Sequence, residues 1–293
     1  MDKLVKTKYG YYAVENPPSE SELSDYYAKK YYQEARGSYE IEYDAEEISY
    51  INNKIEQRAY ILDKHIPTNG TRTFLDIGCG EGWALNFFKQ KGWVVLGLDY
   101  SSFGCEKFNP NCMENLISGN VYDGINKLIA EGRKFDVVWV DNVLEHVINP
   151  EAIIQDFKKI INPNGILVIE VPNDFSIVQN HAFAKGNIDK QYWVVIPDHL
   201  SYFSKESLEN LLNGNGWQSI TCLADYPIDW NLLNPNSNYI QKKEVGKSCH
   251  RERIAFENLI HTLPVEKVNS FYQALGDIGL GRLITGFFRP NQD

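Results

Sequence analysis

Cysteines are few in this sequence, and long apolar runs are missing. The 293 residues include five cysteines, an odd number without Cys-x-x-Cys spacing, so neither a disulfide framework nor a structural zinc site is expected. No stretch of 18 apolar residues occurs, and the opening MDKLVKTKYG is too polar for a signal peptide. We therefore expect a cytoplasmic protein without a membrane span.

Positive charge is also in short supply, with a formal net charge of −10. A nucleic-acid-binding protein needs a cationic surface for phosphates, so no nucleic-acid partner is expected. Residues 241–253 depart from this balance, because they hold five Lys or Arg side chains against two Glu. Such a run is usually a solvated helix face. The alternative is a binding site for an anionic group of the substrate, such as the phosphates of a nucleotide-sugar.

The most distinctive glycine-rich turn has the pattern Gly-x-Gly-x-Gly at Gly78, Gly80 and Gly82. An apolar segment over residues 72–77 predicts a strand before it, and residues 83–91 predict a helix after it. Glycines at alternate positions let the backbone turn sharply and approach a ligand. The pattern differs from a dinucleotide fingerprint, and no Gly-Lys-Ser or Gly-Lys-Thr follows it, so no pyrophosphate is expected there.

A second apolar segment, residues 93–98, predicts a strand that delivers Asp99 to the carboxyl edge of a sheet. Asp99 follows Gly78 by 21 residues, which fits one βαβ unit. A carboxylate at this place can accept hydrogen bonds from both hydroxyls of a ribose. The glycine turn and Asp99 together predict a site for the nucleoside part of a cofactor.

Residues 74–82 resemble motif I of the class I S-adenosylmethionine-dependent methyltransferases. The resemblance covers about residues 70–225 and includes Asp99, residues 119–123, residues 135–147 (FDVVWVDNVLEHV) and residues 165–173 (GILVIEVPN). It implies an α/β, Rossmann-like class I methyltransferase fold with a mostly parallel seven-stranded sheet flanked by helices. It also implies S-adenosyl-L-methionine as cofactor and S-adenosyl-L-homocysteine as product.

The resemblance assigns the methionine part of the cofactor to the glycine loop, the ribose to Asp99, and the adenine to Asn120 and Val121. The family usually carries an acid where this chain has Asn120, although an amide carbonyl can accept the same bond. The residues expected to contact the cofactor are Tyr32, Gln33, Arg58, Asp76, Gly78, Cys79, Gly80, Asp99, Tyr100, Asn120, Val121, Asp141, Asn142 and His146.

Two of these residues have a second interpretation. Arg58 lies on a helix predicted over residues 45–66 and either pairs with the carboxylate of the cofactor or turns to solvent. Cys79 lacks an identifiable activating partner, so a small side chain that fits the turn is favoured over a nucleophile.

Methyl transfer to a weakly acidic hydroxyl needs a proton acceptor, and histidine suits that task near neutral pH. His199 follows a long insertion after the fifth strand implied by the resemblance, and His146 follows the fourth, next to Glu145. Each is a candidate base, and neutral packing is the alternative for each. No clustered set of His, Asp and Glu predicts a metal site in the sequence.

The chain divides into three predicted parts. Residues 1–66 are tyrosine-rich and predict a helical cap over the cofactor, residues 67–225 the cofactor-binding core, and residues 226–293 a helical extension on the acceptor side. Residues 173–197 and segments of the extension, including Phe287 and Phe288, are predicted to wall the acceptor pocket.

These features predict a methyltransferase for a small-molecule acceptor. Residues 17–33 and 198–204 resemble enzymes that methylate sugars in bacterial surface-polysaccharide and natural-product pathways, so the first hypothesis is O-methylation of a nucleotide-linked sugar with His199 as base. The alternatives are a non-sugar acceptor, such as a phenol, an amine or a phosphoryl group, and a non-catalytic cofactor-binding partner protein. The acceptor atom and the oligomeric state are left open, a homodimer included.

Overall fold

The computed structural model describes residues 3–19, 22–23, 26, 42–67 and 70–292. Its strands are β1 (Leu4–Lys6), β2 (Tyr12–Val14), β3 (Thr73–Ile77), β4 (Val94–Asp99), β5 (Leu116–Ser118), β6 (Phe135–Asp141), β7 (Ile161–Pro172), β8 (Ser201–Tyr202), β9 (Trp217–Ala224) and β10 (Leu283–Pro290). Its α-helices are α1 (Ala45–His65), α2 (Trp83–Gln90), α3 (Phe103–Phe108), α4 (Val121–Ala130), α5 (Pro150–Ile160), α6 (Ile177–Ala184), α7 (Lys205–Gly214), α8 (Gly246–Ile260) and α9 (Val265–Asp277). Tyr32 and Gln33, both predicted to contact the cofactor, lie outside the described residues.

Seven strands form one sheet in the order β5-β4-β3-β6-β7-β10-β9. The pairs from β5 to β7 are parallel, whereas β10 is antiparallel to both β7 and β9. The predicted α/β fold with a mostly parallel seven-stranded sheet is therefore confirmed. Parallel strands covered on both faces are almost continuously apolar, as in β6, where residues 137–140 are at most 1% exposed.

Successive side chains of the strands enter two apolar layers, one on each face of the sheet. Leu75 of β3 belongs to the layer that contains Ile125 of α4 and Phe157 of α5. Its neighbour Phe74 belongs to the opposite layer and stacks on Phe88 of α2, with ring centroids 4.2 Å apart. This alternation follows from the period of two along a strand and leaves the carboxyl edge of the sheet as a fixed platform.

Capping residues set the starts of two helices. The Asp44 side chain accepts from the backbone N–H groups of the first turn of α1, and the Glu47 side chain accepts from the Asp44 N–H at 2.9 Å. Asn149 caps α5, which has Pro150 at its first position. The predicted start of α1 at residue 45 is confirmed.

The C-terminal part corrects the predicted organisation. Residues 226–293 include helices α8 and α9, but β10 then inserts between β7 and β9 and completes the central sheet. Phe287 and Phe288 are 0% exposed inside this sheet, so the prediction that they wall the acceptor pocket is wrong. The core does not end at residue 225, because its last strand comes from the end of the chain.

Two shorter segments also differ from their predictions. Residues 3–14, predicted as part of a helical cap, form β1 and β2, and β2 pairs with β8. Residues 162–165, Asn-Pro-Asn-Gly, have the composition of a turn that ends a helix, but α5 ends at Ile160 and these residues lie within β7. Asn162 donates a hydrogen bond to Asp136 at 2.8 Å, which ties this start of β7 to β6.

The insertion between β7 and β8 packs against the N-terminal hairpin. Trp193 and Tyr202 are 2% and 1% exposed in a third apolar cluster that also contains Val14 of β2. This packing fixes the loop that carries His199. Among the helices of the described residues, none has the length and apolar character needed to cross a membrane.

Candidate active site

The direction in which strands are added to the sheet changes between β3 and β6. The chain first adds β4 and β5 on one side of β3 and then places β6 on its other side. A switch of this kind leaves a crevice at the carboxyl ends of the strands. A cavity of about 670 Å³ lies there. Eight of the residues predicted to contact the cofactor line it: Gly78, Gly80, Asp99, Tyr100, Asn120, Val121, Asn142 and His146.

The glycine loop between β3 and α2 has a backbone that other residues adopt with difficulty. Gly78, Gly80 and Gly82 have φ angles of 75°, 52° and 76°. A Cβ atom added at Gly78 would lie 2.5 Å from Cγ2 of Val143, which also lines the cavity. The loop therefore approaches the turn after β6 closely, and this leaves a cradle for a ligand.

Replacing Gly78 by Ala is expected to distort this cradle. The left-handed backbone alone costs about 1–2 kcal/mol for a residue with a Cβ, and the contact with Val143 adds to that cost. The matched control is Gly92→Ala, where φ is 80° and nothing lies within 4 Å of the added Cβ. Urea denaturation and titration with S-adenosylhomocysteine would check both variants. Equal losses of stability and unchanged affinity would contradict a close approach at Gly78.

Asp99 ends β4 and is 8% exposed. Its Oδ2 accepts from the Gly80 N–H at 2.8 Å, and its Oδ1 accepts from the Ser101 N–H at 2.9 Å. The carboxylate thus holds the glycine loop and the following turn together. Each carboxylate oxygen can accept a further hydrogen bond, so Asp99 can also bind a ribose hydroxyl.

Asn120 has a role that the sequence did not indicate. Its side-chain carbonyl accepts from the N–H groups of Tyr122 and Asp123, at 2.8 and 3.4 Å, and so caps α4. The predicted bond from the adenine amino group to this carbonyl would compete with the cap. The adenine contact of Asn120 and Val121 stays a prediction.

Three carboxylates gather behind and beside the glycine loop. Burial raises the pKa of the Asp76 carboxyl well above its usual range, and the nearby Asp141 and Asp99 add to the rise. Burial also raises the pKa of Asp141 to about 6, against the opposing effect of Arg58. A positive charge on a bound ligand would favour the ionised forms of these groups.

Arg58 lies on α1 and points into the protein, 5% exposed, so the alternative that it turns to solvent is wrong. Its guanidinium donates to Oδ2 of Asp141 at 2.7 Å and also to Glu170. Thr285 of β10 donates to the same Glu170 at 2.8 Å. Arg58 thus clamps Asp141 at the edge of the cavity, and its contact with the cofactor carboxylate stays a prediction.

The two candidate bases come together although they are 53 residues apart in the sequence. The rings of His146 and His199 lie edge to face with centroids 4.9 Å apart. Nδ1 of His146 is 2.6 Å from the main-chain oxygen of Asp198. Because that oxygen can only accept, Nδ1 carries the hydrogen and Nε2 of a neutral His146 is left as a proton acceptor. His146 lines the cavity. His199 is not among the lining residues and contacts the ring of His146.

Glu145 forms a cluster with the two histidines. The prediction that His, Asp and Glu are not grouped as in a metal site is therefore wrong. The ligand atoms of Glu145, His146 and His199 lie within 4.8 Å of one another. Sequence reasoning missed this group because His199 reaches it through the fold of the insertion. Burial raises the pKa of the Glu145 carboxyl well above its usual range, and the carboxylates of Asp174 and Glu170 add to the rise.

Two other sequence features have structural roles. Burial raises the pKa of the Cys79 thiol well above its usual range, which agrees with a packing residue rather than a nucleophile. In the basic run 241–253, Arg251 pairs with Asp44 at 2.5 Å, and Arg253 pairs with Asp225 at 2.6 Å. No residue of this run lines the cavity in the described part of the chain.

A mostly parallel sheet in this strand order defines the class I methyltransferase architecture when a glycine loop follows β3 and an acid, here Asp99, ends β4. Residues 45–222, more than half of the chain, match the profile of the family described as "Methyltransferase domain". The chain belongs to this family.

Individual proteins are similar to this chain at low identity. The chain is 33% identical over 123 residues to a ubiquinone biosynthesis O-methyltransferase of Glaesserella parasuis. The aligned part covers 39% of this chain and 51% of that protein. It is 30% identical over 105 residues to the protein of the same name from Haemophilus ducreyi, covering 34% and 44%. The chain spans about half the length of these curated relatives. A solved S-adenosylmethionine-dependent methyltransferase from Archaeoglobus fulgidus is 18% identical, covers 91% of this chain and 99% of its own, and has a TM-score of 0.47.

Proposed function

We propose that this chain methylates a hydroxyl group of a small molecule, with His146 as the proton acceptor. The observation that carries the proposal is the position of His146. It lines the same cavity as the glycine loop and Asp99, and its Nδ1 is fixed by the main-chain oxygen of Asp198. A proton acceptor and a cofactor site that share one cavity can bring an acceptor hydroxyl and a methyl donor into line.

The residues proposed to hold the cofactor form a continuous edge. Gly78 and Gly80 provide the cradle, and Asp99 accepts from the ribose. S-adenosylmethionine supplies a methyl group that is already activated by its sulfonium. The protein then has to align the acceptor and exclude water, because displacement at an activated methyl group needs little other chemistry.

His146 has the task of removing the proton from the acceptor. As the acceptor oxygen bonds to the methyl carbon and the sulfur–carbon bond breaks, the hydroxyl proton passes to Nε2 of His146. The imidazolium that forms lies 3.8 Å from a carboxylate oxygen of Asp198, which stabilises its charge. His199 packs against the ring and limits its rotation.

A phenolic or other uncharged hydroxyl is favoured over a nucleotide-linked sugar. The similar proteins from Glaesserella parasuis and Haemophilus ducreyi carry the name ubiquinone biosynthesis O-methyltransferase. The two arginines of the basic run, Arg251 and Arg253, are engaged with Asp44 and Asp225 and not with a phosphate site. Activity assays with a catechol and with pooled nucleotide-sugars, in the presence of labelled S-adenosylmethionine, test this choice. Transfer to nucleotide-sugars alone would contradict it.

Replacing His146 by Asn is expected to lower turnover by about 10²–10⁴-fold. The Asn amide can still donate toward the main-chain oxygen of Asp198, so the variant removes Nε2 while it keeps the local hydrogen bond. Affinity for S-adenosylhomocysteine should change little, because His146 acts on the acceptor. Steady-state kinetics and calorimetry would measure the two quantities separately.

The controls for this variant distinguish three roles. His181→Asn changes an exposed histidine on α6 and should leave turnover unchanged. His199→Asn should lower turnover less than His146→Asn, and the reverse order would assign the base to His199. Dialysis against EDTA should leave turnover unchanged, because the proposed mechanism passes the proton to His146 and needs no bound cation. Loss of turnover that is restored by a divalent cation would assign the cluster to metal binding instead.

A further inference from the structure

The glycine loop is held on its outer side by a residue that no part of the proposed mechanism uses. Glu81 lies between Gly80 and Gly82, and both of its carboxylate oxygens are 2.9 Å from the hydroxyl of Tyr43. Tyr43 precedes the N-cap of α1, so the contact joins the start of that helix to the cofactor loop. A phenol O–H that donates to a carboxylate makes a charge-assisted hydrogen bond, which is stronger than a neutral one.

The geometry of Glu81 is fixed by two further bonds. The indole Nε1 of Trp83 donates to Oε2 of Glu81 at 2.7 Å, and the side chain of Asn109 donates to the Glu81 main-chain oxygen at 2.8 Å. Asn109 is 3% exposed. These bonds hold the outer side of the loop, while Asp99 holds its inner side through the N–H of Gly80. Removal of one outer bond should therefore loosen the cofactor loop without breaking the fold.

Aromatic packing keeps Tyr43 in place. Its ring meets those of Trp83 and Phe108 edge to face, with centroids 5.8 and 5.1 Å away. Such pairs are worth more than their buried area alone. A phenylalanine in place of Tyr43 would keep these ring contacts and lose only the hydroxyl. The hydrogen bond can thus be tested without removal of the side chain.

The start of α1 is also fixed from the C-terminal part of the chain. Arg251 of α8 pairs with Asp44 at 2.5 Å and with Glu47 at 3.6 Å. Tyr43 is the residue before Asp44, so it approaches the loop from an anchored position. Further along the same helix, Arg58 holds Asp141, the residue before Asn142 of the cavity lining. Helix α1 therefore contacts the cofactor edge at two points.

We propose that Tyr43 is a positioning residue of the cofactor site, which sets the glycine loop for binding through its hydrogen bonds to Glu81. Tyr43 does not touch the reacting atoms. Its loss should weaken the binding of S-adenosylmethionine and S-adenosylhomocysteine and leave the chemical step unchanged once the cofactor is saturating. This inference rests on the proposed function only in the identity of the cofactor.

The first test compares Tyr43→Phe with a control that loses the same kind of bond elsewhere. Tyr60 lies toward the other end of α1, and its hydroxyl donates to a carboxylate oxygen of Glu266. Tyr43→Phe should weaken S-adenosylhomocysteine binding by about tenfold, while Tyr60→Phe should leave it within a factor of about two. The KM for S-adenosylmethionine should rise in Tyr43→Phe and kcat should stay near its wild-type value. Unchanged affinity in Tyr43→Phe, or an equal loss in both variants, would overturn the proposal.

The second test does not depend on the cofactor. In a double-mutant cycle of Tyr43→Phe and Glu81→Gln, the losses in free energy of unfolding should not add, because both variants disturb the same hydrogen bonds. The indole N–H resonance of Trp83 should also shift in Tyr43→Phe, since Trp83 donates to the same carboxylate. Additive losses with an unmoved resonance would overturn the contact itself. If the two substitutions are coupled but the wild-type protein does not bind S-adenosylhomocysteine, the proposed function is refuted and the contact stands.

Discussion

Replacing Asp99 by Asn is expected to weaken the binding of S-adenosylhomocysteine by about 100-fold, or roughly 3 kcal/mol. The carboxylate accepts from two backbone N–H groups, those of Gly80 and Ser101, on its two oxygens. An amide has one carbonyl oxygen, so one of these N–H groups would face an NH₂ group instead. The variant would lose the anchor of the glycine loop and an acceptor for the ribose in one step. Isothermal titration calorimetry measures the change.

The control for this experiment is Asp123→Asn. Asp123 lines the same cavity but is exposed on the first turn of α4, and its N–H, rather than its carboxylate, contacts Asn120. This variant changes the charge of the cavity equally and should reduce affinity only slightly, since an exposed charge is screened by water. Comparable losses in the two variants would show that net charge, and not the hydrogen bonds of Asp99, sets the affinity. A thermal melt of each variant separates loss of binding from loss of the fold.

Replacing Arg58 by Met is expected to destabilise the protein by about 3–5 kcal/mol at neutral pH, because it leaves buried carboxylates without their partner. Arg58 is the donor to both Asp141 and Glu170, and its side chain is 6% exposed. Methionine keeps much of the apolar length of arginine, so the loss reports chiefly on the charge. Urea denaturation followed by circular dichroism would measure the free energy of unfolding.

The matched control is Arg251→Met. Arg251 also pairs with two carboxylates, but its side chain is 49% exposed, so the expected loss of stability is much smaller than at Arg58. The two variants remove the same side chain from a buried and an exposed pair. Similar losses would contradict the importance of burial at Arg58.

The effect of Arg58→Met should also depend on pH. The pKa of Asp141 is raised to about 6 even with Arg58 present, so this carboxyl takes up a proton in the folded state as pH falls through that value. A protonated Asp141 loses little when its cationic partner is removed. The destabilisation should therefore be smaller at pH 5 than at pH 7.5. A destabilisation that grows as pH falls would show that the loss does not come from the stranded carboxylate.

Much of the cofactor edge could be predicted from the sequence, because its signals are local. The strand before the glycine loop, the helix after it and the acid after the next strand all lie between residues 72 and 99. Each follows from short-range patterning and from the φ angles that glycine permits. The wall of the acceptor side could not be predicted in this way. Phe287 and Phe288 were assigned to it, although they belong to a sheet strand whose partners β7 and β9 are set by hydrogen bonds across the sheet.

The sequence by itself determined the class of fold, the family and the placement of the glycine loop and Asp99, since apolar periodicity and glycine spacing act over a few tens of residues. Only the tertiary structure decided which side chains meet. Arg58 lies 83 residues from Asp141 and 112 from Glu170, and His146 and His199 come from two different loops. These contacts depend on how the sheet orders its strands and how the insertion packs, and such long-range packing leaves no periodic signal in the chain.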